Sequence, residues 1–183
     1  WDRLRDYVRE LTEGMSAEVW RWVRAEPRVK LWLLLHDRRD QLADLVAERW
    51  FEQGNRPTRV VDGAVHAELP YYGDESVGIP DETFVMEPAE TPLTAVLREV
   101  TWVSQTRFDV VLFAWIDFVG HGDETPEIEV SLVHQGSGER IELPVSQQES
   151  VQVTHAAGHR YQDYRQGAFT VEESDDLIPG FNA

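Results

Sequence analysis

From Leu93 onward, apolar residues return with a period of two, the pattern of strands with one buried face. It predicts strands near 94–103, 109–119, 127–135, 140–146, 150–154 and 168–172, separated by turns containing Gly or Pro. Ile128, Val130 and Leu132 alternate with Glu127, Glu129 and Ser131, as a sheet with one wet face requires. Pro144 belongs on an edge strand, because it cannot donate to a ladder. The stretch after Asp109 differs. Val110, Leu112, Ala114, Ile116 and Phe118 make one face apolar, and Val111, Phe113 and Trp115 make the other apolar too. Both faces then need cover, from the chain's own helices, another subunit or a further strand, and Phe113 and Trp115 are candidate interface residues.

Before residue 55 the period is helical. Leu4, Val8 and Leu11 form a stripe that stops at Gly14, and Ser16 is placed to cap a short second helix carrying Val19, Trp22 and Val23. Pro27 closes that helix or opens the next. The run from Arg28 carries Leu31, Leu34, Leu35, Leu42, Leu45 and Val46, with a break near His36 and Asp37 and Asp37 as cap, so it reads as a helical hairpin ending at Gly54. Asp62-Gly63, between β-branched residues, accepts positive φ at both positions of a two-residue hairpin turn. The Pro- and Gly-rich passage from Pro70 to Pro92 reads as an ordered connector.

These segments predict an α+β chain: a helical segment over 1–54, a β-hairpin and irregular connector over 55–92, and an antiparallel β-sandwich over 93–183. Six strands fall short of the seven of an immunoglobulin-like sandwich, so the sandwich is expected to be truncated. Trp1 stands where an initiator Met would be and no basic-then-apolar leader follows it, which suits a piece cut from a larger protein.

Charge and composition narrow the function classes. A formal charge of -17 repels phosphate backbones, so no nucleic-acid partner is expected. Nineteen aromatic residues, seven Trp, seven Phe and five Tyr, are too many for a disordered acidic tail. With no cysteine there is neither a disulfide framework nor a thiolate nucleophile, which suits the cytoplasm. The longest apolar runs are far shorter than the roughly 20 residues of a membrane span.

Chemistry is harder to find. With 34 acidic residues, no pair of carboxylates stands out as catalytic, and Glu127 and Glu129 read as a solvated strand face. His155 and His159 have the spacing of a helical metal pair, but Gly158 and the surrounding alternation argue for loop histidines. His121, Asp123 and Glu124 offer too few ligands for calcium and read as a hairpin loop. No nucleophile elbow, Walker loop or dinucleotide fingerprint occurs, so no catalytic residue and no metal ligand is assigned. Tyr71 and Tyr72 are candidates for stacking on a sugar ring, weighed against packing of the connector. Trp102 and the helix tryptophans are core candidates.

Asp62-Gly63, the run Leu69-Pro70-Tyr71-Tyr72, the run Ile79-Pro80-Asp81-Glu82-Thr83-Phe84 and the apolar strand through Trp115 together carry a resemblance. They resemble the region that follows the catalytic domain in bacterial family-2 glycosyltransferases of the wall-teichoic-acid type. The resemblance implies a helical and small-β linker leading into an immunoglobulin-like domain that serves oligomerisation and polymer binding. It places the metal-binding DxD in an upstream catalytic domain, and no DxD occurs in this chain. A non-catalytic accessory region without a cofactor of its own is therefore expected. Its expected partners are the upstream catalytic domain, further copies of itself and a glycopolymer. The rival expectations are a stand-alone carbohydrate-binding module and a purely structural oligomerisation domain.

Overall fold

The computed structural model describes residues 1–47, 56–104, 107–122 and 126–172. The chain is α+β, with five α-helices and antiparallel sheets among the described residues, and divides into two compact units. The predicted helix end at Gly54, the loop residues Asp123 and Glu124, and the chain end at Phe181 lie outside the described residues.

The first unit holds Trp1–Pro92 and is completed by Asp117–Val119 and His159–Gln162. Helix α1 (Asp2–Glu13) ends at Gly14, and α2 (Ala17–Arg21) is capped by Ser16, whose hydroxyl accepts from the Val19 amide at 3.2 Å. Pro27 lies in the first turn of α3 (Ala25–Leu35), where its missing N–H costs nothing. Asp37 follows in the left-handed region with φ 57°. The Arg38 amide reaches back to the Leu33 carbonyl at 2.9 Å and the Asp37 amide to that of Leu34 at 3.3 Å. Asp37 thus ends α3 in a Schellman arrangement, the place usually taken by Gly, and α4 (Arg39–Ala47) begins two residues on.

Strands β1 (Thr58–Val61) and β2 (Ala64–Ala67) join through Asp62 and Gly63, whose φ values of 50° and 79° are those of the two-residue turn the sequence calls for. The core gathers Val29 and Leu33 of α3, Leu45 of α4, Ala67 and Leu69 near the hairpin, and Val77, Ile79, Phe84 and Met86 of the connector. The connector is therefore a large part of the core. Helix α1, by contrast, buries none of its residues, and Leu4 and Leu11 of its apolar stripe are half exposed.

A buried carboxylate organises this unit. Glu90 lies in a short 3-10 turn and accepts from the Ala25 amide at 3.1 and 3.3 Å, satisfying an orphan donor at the start of α3. Arg56 reaches it at 3.4 Å and the buried Arg28 at 4.0 Å. Arg28 also donates to the carbonyls of Glu82 and Val85, binding α3 to the connector.

The second unit holds Leu93–Ile116, Gly120–Gly158 and the chain from Asp163. Strands β3 (Leu93–Trp102), β4 (Phe108–Ile116), β7 (Val145–Gln148) and β8 (Ala168–Glu172) form one antiparallel sheet in the order β3-β4-β8-β7. β5 (Val130–Val133) and β6 (Arg140–Leu143) form a separate antiparallel pair.

The strand expected near 150–154 is instead helix α5 (Val151–Ala157). Val151 and Val153 carry the alternation, but the ends decide the conformation. The Ser150 hydroxyl accepts from the Gln152 amide at 3.3 Å, and Gly158 terminates the helix at φ 68°. Val153 then packs wholly buried against the sheet while Val151 points to solvent.

Candidate functional site

The four-stranded sheet has two apolar faces, and the described residues leave the β3 part of one of them exposed. Val111, Phe113 and Trp115 of β4 share a face with Val96 and Ala168, and α5 lies on it through Val153 and Ala157. Tyr164 completes this cluster with no exposed surface, its ring 6.1 Å from that of Trp115. The loop leading to β8 is bound to α5 by Asp163, which accepts from the Thr154 hydroxyl at 3.2 Å, while Thr154 accepts from the Tyr164 amide at 2.9 Å. Arg165 adds an ion pair to Asp163 at 2.7 Å.

The opposite face is buried at Phe108 and Ala114 of β4 and at Phe169 and Val171 of β8, and among the described residues it is open along β3. Opposed pairs of an antiparallel ladder share a face, so Leu93, Ala95, Leu97, Val100 and Trp102 lie beside Ile116, Ala114, Leu112, Val110 and Phe108. The β3 members are well exposed, Leu93 by 72%, Leu97 by 64% and Trp102 by 65%. The segment from Glu127 to Leu132, together with Leu143, flanks this face and leaves a groove of about 870 Å³ with a largely apolar lining. An apolar surface this extended on a folded unit is the usual mark of an interaction site.

Phe113 and Trp115, the sequence-based interface candidates, are 4% and 5% exposed and belong to the covered face. The structure brings them together, under α5. Trp102, expected in the core, stands on the open face with its ring edge-on to Phe108 at 5.4 Å. Sequence reasoning missed Leu93, Leu97 and Val100. The signal available was the change in their phase, odd positions before Arg98 and even positions after it.

Tyr71 and Tyr72 lie in the other unit and pack on its core. Tyr72 meets Phe84 edge-on at 5.2 Å, and Tyr71, at φ 71°, donates from its hydroxyl to the Gln41 carbonyl at 3.4 Å. His155 sits on α5 whereas His159 follows the glycine that ends it, so the two do not share a helical face. His159 stacks on Phe118 with centroids 4.6 Å apart, its Nδ1 accepting from the Phe118 amide at 3.5 Å. Burial lowers its pKa, against the pull of Asp117. Burial likewise lowers that of His121, opposed by Asp163, and its ring stands edge-on to Tyr164 at 5.7 Å. Among the described residues no group of His, Asp and Glu side chains is placed to hold a metal ion, and no helix is long and apolar enough to cross a membrane.

Compared with known proteins, the chain matches no family model, no curated protein and no solved structure.

Proposed function

We propose that this chain is a non-catalytic accessory region that works by assembly, within a bacterial glycosyltransferase of cell-envelope glycopolymer synthesis. The observation that carries the assembly role is the open apolar face of Leu93, Leu97, Val100 and Trp102, beside a face that the protein does cover. Covering that surface with protein gains on the order of 25 cal/mol for each Å² of apolar area removed from water. The resemblance of the connector and of the strand through Trp115 supports the glycosyltransferase context. In that reading the four-stranded sheet and the β5–β6 pair are the two layers of an immunoglobulin-like sandwich, and the region serves a catalytic domain preceding it in the cytoplasm.

Sedimentation velocity over a concentration series tests the role, at about 150 mM salt so that the net charge is screened beyond roughly 8 Å. Reversible association is expected, weakened by Trp102→Ser. A monomer at every concentration would remove assembly of this chain from consideration.

A further inference from the structure

The open face borders an edge. Among the described residues β3 is outermost in its sheet, and residues 97–104 are all exposed. Exposed edges invite pairing, and proteins commonly guard them with charges and β-bulges. β3 carries both: Leu97 is opposite Leu112 and Glu99 opposite Val111, so Arg98 is an extra residue between them.

The bulge changes which strand can pair there. Before it the open-face residues are the odd positions Leu93, Ala95 and Leu97, and after it they are the even positions Val100 and Trp102. A regular strand laid along this edge would match one half and present its wrong face to the other. A second β3 running antiparallel carries the same change of phase in reverse. With a two-fold axis between Arg98 and Glu99, Leu97 comes opposite the partner's Val100 and Ala95 opposite the partner's Trp102, all on the open face. Val96 comes opposite the partner's Thr101, both on the other face. In a strand without a bulge, a register centred between adjacent residues would oppose side chains of opposite faces.

The charges fit the same register. Arg98 lies over the Phe113 ring at 5.2 Å, and Glu99, paired with Val111, is on that same covered side. The two-fold sets Arg98 opposite the partner's Glu99 and Glu99 opposite the partner's Arg98, giving two attractive cross-strand pairs. We propose that β3 is a self-complementary dimer edge, in which two copies of this chain join their sheets antiparallel about the Arg98-Glu99 step. This rests on the assembly role and names its partner, a second copy. The joined sheets have one continuous apolar face, with Leu97 and Val100 packed across the seam.

The test compares the unaltered chain with R98E, E99R, the double exchange R98E/E99R, and an equimolar mixture of the two single variants, all by sedimentation velocity. R98E makes both positions acidic and E99R makes both basic, so each single variant faces like charges in its own dimer. Each is expected to weaken association by roughly tenfold or more. The double exchange, and the mixture through its heterodimer, are expected to recover it. Unchanged circular dichroism checks that these exposed substitutions leave the fold intact. If all variants associate as the unaltered chain does, this register is overturned while the assembly role stands. If the single variants lose association and neither the double exchange nor the mixture regains it, the pairing is also overturned. A monomeric unaltered chain overturns both the pairing and the assembly role.

Discussion

Gly167 faces the carbonyl oxygen of Ala114 so closely that a Cβ built on it would lie 2.3 Å away, with the Val153 side chain at 3.1 Å on its other flank. The absence of a side chain there lets the turn before β8 press onto β4 beneath α5. Gly167→Ala is expected to destabilise the chain by about 1–3 kcal/mol, because the obstacle is backbone that cannot turn aside. Gly138→Ala meets nothing within 4 Å and, at φ 72°, carries only the cost of a left-handed backbone, about 1 kcal/mol. Urea unfolding of the two variants checks the order, and equal losses would remove the close approach as the cause.

Glu90 satisfies the start of α3 while facing Arg28 and Arg56. Glu90→Ala is expected to cost about 3 kcal/mol, since it leaves Arg28 buried without its carboxylate and an N-terminal amide without an acceptor. Adding Arg28→Met to Glu90→Ala should cost less than the sum of the two single changes. A double-mutant cycle by chemical denaturation measures this, and strict additivity would show that the pair does not act together.

His121 and His159 both have pKa values lowered by burial. Below the ordinary histidine value of about 6.5 the unfolded chain takes up protons that the folded chain does not. Their stabilising effect is therefore complete above that pH and declines as pH falls from it toward the lowered folded values. The carboxylates of Asp117 and Asp163 oppose the shift but do not reverse it. The difference in melting temperature between the native chain and H121N/H159N should become less favourable to the native chain from pH 7.5 to pH 5.5. A constant difference would exclude both histidines as the source.

The two faces of the four-stranded sheet separate stability from association. Phe113→Ala removes a ring packed under α5 and should cost about 3–5 kcal/mol. Leu97→Ser changes an exposed position and should alter stability by no more than about 0.5 kcal/mol while weakening self-association. Thermal melts and sedimentation on the same samples distinguish the two effects. Loss of association by Phe113→Ala with an intact fold would return the interface to the face now beneath α5.

Much of the local structure was legible in the sequence because its causes are local. Ser16 caps α2, Asp62 and Gly63 turn the hairpin, and the alternation from Leu93 gives antiparallel strands, each through neighbours a few residues apart. Even there one local signal outweighed another, since Ser150 and Gly158 made a helix where Val151 and Val153 alternate as a strand does. That β4 is apolar on both sides was likewise readable. Which side is covered was not, because it depends on α5 and the loop after it returning from some forty to fifty residues later to place Val153 and Tyr164 over Phe113 and Trp115. The change of phase at Arg98 can be read from Leu97 and Val100, but that it is a bulge at an edge was hidden, since a bulge exists only relative to the strand beside it. The sequence by itself determined the helices before residue 48, the hairpin turn and the surplus of apolar surface. Only the tertiary structure decided where that surplus is exposed, because burial belongs to pairs of distant segments and not to any residue alone.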